Sequence, residues 1–133
     1  MPAKPAAQPL AKPAEDLISV DYLSGVCIVT LLTHELNSST SEELSTQLLA
    51  LLNNAKSYKF VLDFDSVRYM ESSCFGTLVT FLKWLSRFDG QVVLANVSEN
   101  IRFLFHVTAL DKVFPIHPTT ESALNFLTRG ELG

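Results

Sequence analysis

Arg68-Tyr69-Met70-Glu71-Ser72-Ser73-Cys74-Phe75-Gly76 is the stretch on which the reading of this chain turns. It follows an apolar run, Tyr58-Lys59-Phe60-Val61-Leu62-Asp63-Phe64, that reads as a strand. Beyond it, Leu78, Phe81, Leu82 and Leu85 recur at helical spacing and predict an amphipathic helix over about 73–88. Two adjacent serines therefore stand where a strand hands over to a helix. The first amides of a helix lack intrahelical partners and carry the positive end of its dipole, so an oxyanion is tolerated there. A serine at such a place can be an N-cap, a nucleophile or a phosphoacceptor, and these few residues leave all three open.

Working outward, residues 17–22 and 26–32 read as a hairpin turning at Ser24-Gly25. A capping box, Thr40 with Glu43 or Ser39 with Glu42, announces a helix over 41–55 that carries Leu44, Leu48, Leu51 and Leu52 on one face. The near-continuous apolar run at 58–64 suits a strand buried on both sides of a parallel sheet. Gly90 closes the turn after the second helix, and 91–95 is the next strand. Ser98 caps a helix bearing Ile101, Leu104 and Phe105, with Glu99 in its first turn. Residues 113–116 form a short strand that Pro115 marks as an edge, because proline cannot donate to a ladder. Thr119 or Thr120 caps a last helix through Leu127. The expected fold class is α/β: a mixed β-sheet with a leading antiparallel hairpin, then alternating β and α elements, with helices covering the sheet.

The chain has 133 residues, 47% of them apolar, which suits one domain with a real core. Residues 1–14 hold four of the six prolines along with alanine and lysine, and are expected to form a disordered tail ahead of a single domain over 15–133. The net charge of −4 and the lack of a basic stripe argue against direct nucleic-acid binding. The only cysteines, Cys27 and Cys74, lie in apolar surroundings; they read as buried thiols in a reducing cytoplasm, not as a disulfide framework. No apolar run is long enough for a membrane span, and the first residues lack the apolar core of a signal peptide. A monomer is the default.

Weighed for chemistry, the other residues offer little. Asp63 and Asp65 near a strand end lack the lysine and threonine of a metal-binding receiver site, so hydrogen bonding to the following loop is their expected role. His34, His106 and His117 have no metal spacing. There is no Gly-x-Ser-x-Gly elbow, P-loop or Gly-x-Gly-x-x-Gly, so no catalytic residue, metal or cofactor is assigned. Trp84 is expected to pack. Tyr69, Met70 and Phe75 flank the serine pair and are candidates to anchor a protein interface, with Met70 and Phe75 also suited to the core. Arg68 is a further candidate contact.

The order of elements and the strand–loop–helix segment resemble the STAS domain of bacterial anti-sigma factor antagonists. The resemblance covers residues from about 16 to 127. The family's switch pattern is an aspartate, a serine, a small residue, a glycine, an apolar residue and a glycine; here it reads Glu71-Ser72-Ser73-Cys74-Phe75-Gly76. Val61-Leu62-Asp63-Phe64-Asp65-Ser66-Val67, Leu94-Ala95-Asn96-Val97-Ser98, the run from Thr108 to Ile116, and Glu121-Ser122-Ala123-Leu124 also match family segments.

The resemblance implies a non-enzymatic, cytoplasmic regulator of transcription. Its phosphoacceptor would be Ser72, modified by an anti-sigma factor that is itself a serine kinase and reset by a serine phosphatase. The unphosphorylated form would bind the anti-sigma factor through Arg68, Tyr69, Met70, Glu71, Ser73 and Phe75. The chain departs from the pattern in having Glu71 for the aspartate and Cys74 for the first glycine, and the cysteine adds a side chain where a kinase must approach. These departures keep a second reading open: a STAS module docking a stress-signalling complex or an ABC transport system without a phosphate switch. Ser73 is expected to be the cap or a first-turn residue, the Ser72 hydroxyl to be held by a cap hydrogen bond, and Gly76 to permit close backbone packing.

Overall fold

The computed structural model describes residues 16–129. β1 (Ile18–Leu23) and β2 (Val26–Leu31) form an antiparallel hairpin. Its two turn residues, Ser24 and Gly25, both have positive φ, 55° and 79°, as a tight two-residue hairpin loop requires. Then follow β3 (Glu35–Leu36), α1 (Ser38–Asn53), β4 (Lys59–Asp63), β5 (Tyr69–Met70), α2 (Ser73–Ser86), β6 (Gln91–Ala95), α3 (Glu99–Val107), a 3₁₀ turn (Leu110–Lys112), β7 (Ile116–His117) and α4 (Thr120–Arg129). The main sheet has the order β1-β2-β4-β6-β7, with every neighbouring pair parallel except the hairpin. This is the mixed α/β architecture expected from the sequence.

Both faces of the sheet are covered, which is why β4 reads as continuously apolar. Cys27, Val29, Leu31, Phe60, Leu62, Val92 and Leu94 pack with residues of α1, α2 and α3, including Leu44, Leu48, Leu78, Phe81 and Phe105. The alternate residues, Val26, Val61, Val93 and Ala95, pack with Ala123 and Leu127 of α4. Gly90 ends α2's descent onto β6 where a Cβ would stand 2.5 Å from Leu85 Cδ1 and 2.6 Å from the Tyr58 carbonyl oxygen, so only glycine fits.

Several local expectations are corrected. α1 starts at Ser38, not at 41, because Asn37 is its cap: Asn37 Oδ1 accepts from the amides of Ser39 and Thr40 at 3.0 and 3.1 Å, and Thr40 Oγ1 accepts from the Asn37 amide at 2.9 Å. The chain thus forms an asparagine-led box two and three residues before the predicted ones. β7 lies at Ile116–His117 and not over 113–116, because the 3₁₀ turn carries Phe114 down into the core beside Phe105. Pro115 nonetheless serves the sheet edge with its one backbone group, accepting from the Leu94 amide at 2.9 Å. Trp84 packs at the surface, 41% exposed, with the Arg87 guanidinium over its ring. The expectation for the tail over 1–14 falls outside the described residues.

Candidate partner-binding site

The loop from β4 to α2 is held at each step by side-chain and backbone hydrogen bonds. Asp63 Oδ1 accepts from the Asp65 amide and from Asn96 Nδ2, both at 2.9 Å, the structural role expected for it. The Arg68 and Tyr69 amides both donate to the His34 carbonyl, at 2.7 and 3.2 Å, and the Glu71 amide donates to the Leu36 carbonyl at 2.8 Å. These bonds lay β5 parallel on β3, in a two-strand sheet too short for any alternation to announce it.

The pinning decides which side chains face out. Arg68, Tyr69, Ser72 and Ser73 are exposed, and Glu71 is partly so. Met70 and Phe75 are buried, at 2% and 7% exposure, so these two expected partner contacts belong to the core. Phase explains Met70: it alternates with Tyr69 along β5. Phe75 points inward from α2 and meets the Phe105 ring edge-on at 4.9 Å.

Ser72 is the N-cap residue of α2, yet its side chain makes no cap hydrogen bond. A capping serine needs extended backbone for its oxygen to reach the second or third amide. Ser72 already has helical angles, φ −61° and ψ −28°, which turns the hydroxyl away from those amides. The expected Ser72 cap bond is therefore absent, and Ser73 is the first helical residue, the second of the two places expected for it. Gly76 also differs from expectation: a Cβ there would meet nothing within 4 Å. Its contribution is a bare patch on the outer face of α2, not close backbone packing. Cys74, by contrast, points inward with no exposure, and its thiol donates to the Asn37 carbonyl at 3.4 Å. It leaves the approach to Ser72 clear. Burial is the largest influence on this thiol and pushes its pKa up, against hydrogen bonds from Ser73 and Ser41 that lower it.

Glu71 reaches sideways. Its Oε1 accepts from the Ser38 amide at the start of α1, at 3.2 Å. Together with the Cys74 contact and a Ser41–Thr77 hydroxyl bond of 2.7 Å, it draws the N-terminal ends of α1 and α2 together. Beyond Tyr69 lies a groove of about 510 Å³ lined by Tyr69, Met70, Glu99, Asn100, Phe103 and Leu104. Phe103 is 62% exposed and was not singled out from the sequence. The signal was present: it stands on the face of α3 opposite Ile101, where a polar residue is the norm. Among the described residues, no three His, Cys, Asp or Glu side chains are grouped to hold a metal ion, and no helix is long and apolar enough to cross a membrane.

A hairpin-led mixed sheet, with a serine-bearing helix start following the loop after its central strand, defines a class of small α/β modules. The STAS domain model matches residues 18–123, and the chain belongs to that family. It is 26% identical over 110 residues to the anti-sigma F factor antagonist of Paenibacillus polymyxa, an alignment covering 83% of this chain and 93% of the relative. Among solved structures it is similar to an anti-sigma factor antagonist (STAS) domain protein from Planctomyces limnophilus. The TM-score there is 0.74 at 25% identity, over 84% of this chain and 97% of that one. It also shares its fold with the phosphorylated form of the Bacillus cell fate determinant SpoIIAA, with a TM-score of 0.63 at 18% identity, over 83% and 98% of the two chains.

Proposed function

We propose that this protein is an anti-sigma factor antagonist that binds an anti-sigma factor kinase and is switched off by phosphorylation of Ser72. The observation that carries the reading is the Ser72 side chain: exposed, at the start of a 14-residue helix, and committed to no cap bond. The family's regulatory role and a relative solved in a phosphorylated form support it. Arg68, Tyr69, Glu71 and Ser73, near Ser72 in the chain and exposed or partly so, serve as partner contacts, and the groove between Tyr69 and Phe103 extends the same surface. Tyr69 and Phe103 supply the aromatic anchors that protein interfaces favour.

Phosphorylation adds about −1.5 to −2 charges and three acceptor oxygens. The dipole at the start of α2 favours that charge by roughly 0.3–1 kcal/mol at an exposed site, so the domain stays folded. The effect is directed outward: a dianion beside Glu71 repels an acidic partner surface and blocks close packing, at a cost of several kcal/mol. A serine phosphatase restores the binding form. The test uses wild type, Ser72→Ala and Ser72→Asp as baits in lysate of the source organism, with partners identified by quantitative mass spectrometry. One ATPase-type kinase held by wild type and Ser72→Ala but lost with Ser72→Asp is the expected result. Capture of one unchanged set by all three baits refutes the switch.

A further inference from the structure

We infer that Glu71 is a positioning residue: its carboxylate clips the Ser72 loop onto the first turn of α1, and charge added at Ser72 loosens the clip. The second clause rests on the reading of Ser72 as phosphoacceptor; the first does not. α1 begins Ser38-Ser39-Thr40 and has no acidic residue in its first turn, although the start of a helix favours negative charge. Asn37 Oδ1 takes the Ser39 and Thr40 amides, which leaves the Ser38 amide to be satisfied from elsewhere. Glu71 satisfies it from 33 residues away in sequence.

The same residue is tied by its backbone, whose amide donates to the Leu36 carbonyl at 2.8 Å. Glu71 thus grips the chain on both sides of Asn37, donating to Leu36 and accepting from Ser38. An aspartate on this backbone stops one methylene short of the Ser38 amide. The glutamate is therefore what converts the loop next to Ser72 into a two-point attachment. A phosphate on the neighbouring residue repels this carboxylate and competes with it for the positive end of α1. The other carboxylate at that helix start is Glu35, whose Oε1 accepts from Asn37 Nδ2 at 3.1 Å and adds to the same repulsion. Release of the clip frees the Ser38 amide, so the exposed Ser38-Ser39 turn of α1 changes with the state of Ser72.

The test is nitrogen-15 NMR on the full chain, following the Ser38 amide in wild type, Glu71→Ala, Glu71→Gln, Ser72→Asp and the Glu71→Gln/Ser72→Asp double variant. The Ser38 amide is expected to exchange several-fold faster with water in Glu71→Ala, with its proton resonance moving upfield. Glu71→Gln, which retains an acceptor oxygen, restores most of the protection. Ser72→Asp gives part of the Glu71→Ala effect, and much less of it when Glu71 is already glutamine. The Thr40 amide, held by Asn37, stays unchanged throughout and separates loss of the clip from general loosening of α1. An unchanged Ser38 amide in Glu71→Ala overturns the clip. An equal Ser72→Asp effect in both backgrounds overturns the charge coupling. Neither readout needs a kinase, so a failure here is distinct from a failure to find the partner.

Discussion

The two helix starts that meet beside Ser72 are built on opposite plans. At α1, side chains supply acceptors for three successive amides: Glu71 for Ser38, and Asn37 for Ser39 and Thr40. At α2, the residue in the capping position offers its amides nothing from its side chain. A good cap contributes about 1 kcal/mol, so α2 forgoes that stabilisation. It is held by packing instead: Cys74, Phe75 and Leu78 are buried in its first two turns, and Phe75 stands edge-on to Phe105. The contrast teaches that a hydroxyl engaged in capping is a structural part, whereas one relieved of that duty by the core is free for chemistry. The proposed site lies where the fold does not use the serine side chain as a cap.

The strongest way to break the comparison is to alter the capping residue at each start. Ser72→Asp should lower partner affinity by about 100-fold or more, as like charges across an interface cost several kcal/mol and about 1.4 kcal/mol is tenfold; calorimetric titration of the purified partner would read it. Next in size is Asn37→Ala, which removes the acceptor of two amides and should destabilise the fold by about 1–2 kcal/mol in urea unfolding. A third test concerns the thiol in α2's first turn. Helix starts normally activate cysteines, but burial dominates at Cys74, so a thiol reagent at pH 8 should leave it unmodified until the protein unfolds. The raised pKa also has a signed consequence for stability. The folded state keeps a proton that the unfolded chain has released, so stability falls as pH rises above the ordinary thiol value. Cys27 adds the same trend, its thiol pushed by burial from 9.0 to about 11, so the decline should run across that window and flatten in Cys27→Ala. The smallest effect expected is that of Ser72→Ala on stability, within about 0.5 kcal/mol of wild type, since no cap is lost. A loss comparable to that of Asn37→Ala would erase the distinction between the two helix starts.

Much of this was legible before the structure. The hairpin, β4, β6 and the apolar faces of α1 and α2 follow from alternation and helical spacing, and Ser24-Gly25 supplies both positive φ values of the turn. Ser72 and its neighbours were singled out because a strand ends and a helix begins around them. What was not legible depends on partners distant in sequence. Nothing local shows that Glu71 serves α1, or that His34 and Leu36 carbonyls pin β5 and so turn Met70 inward. The start of α1 was misplaced because serine and threonine over 38–41 offer several boxes, and only Asn37 satisfies two amides at once. Cys74 was read as an obstacle beside Ser72 because its inward direction depends on α1 lying alongside.

The most direct test of the central claim is phosphosite mapping of the protein purified from its source organism, wild type beside Ser72→Ala. The account predicts phosphate on Ser72 in wild type, with no phosphate transferred to Ser73 when Ser72 is replaced. Phosphate found on Ser73 alone, or on neither serine under conditions where the partner kinase is active, would contradict it.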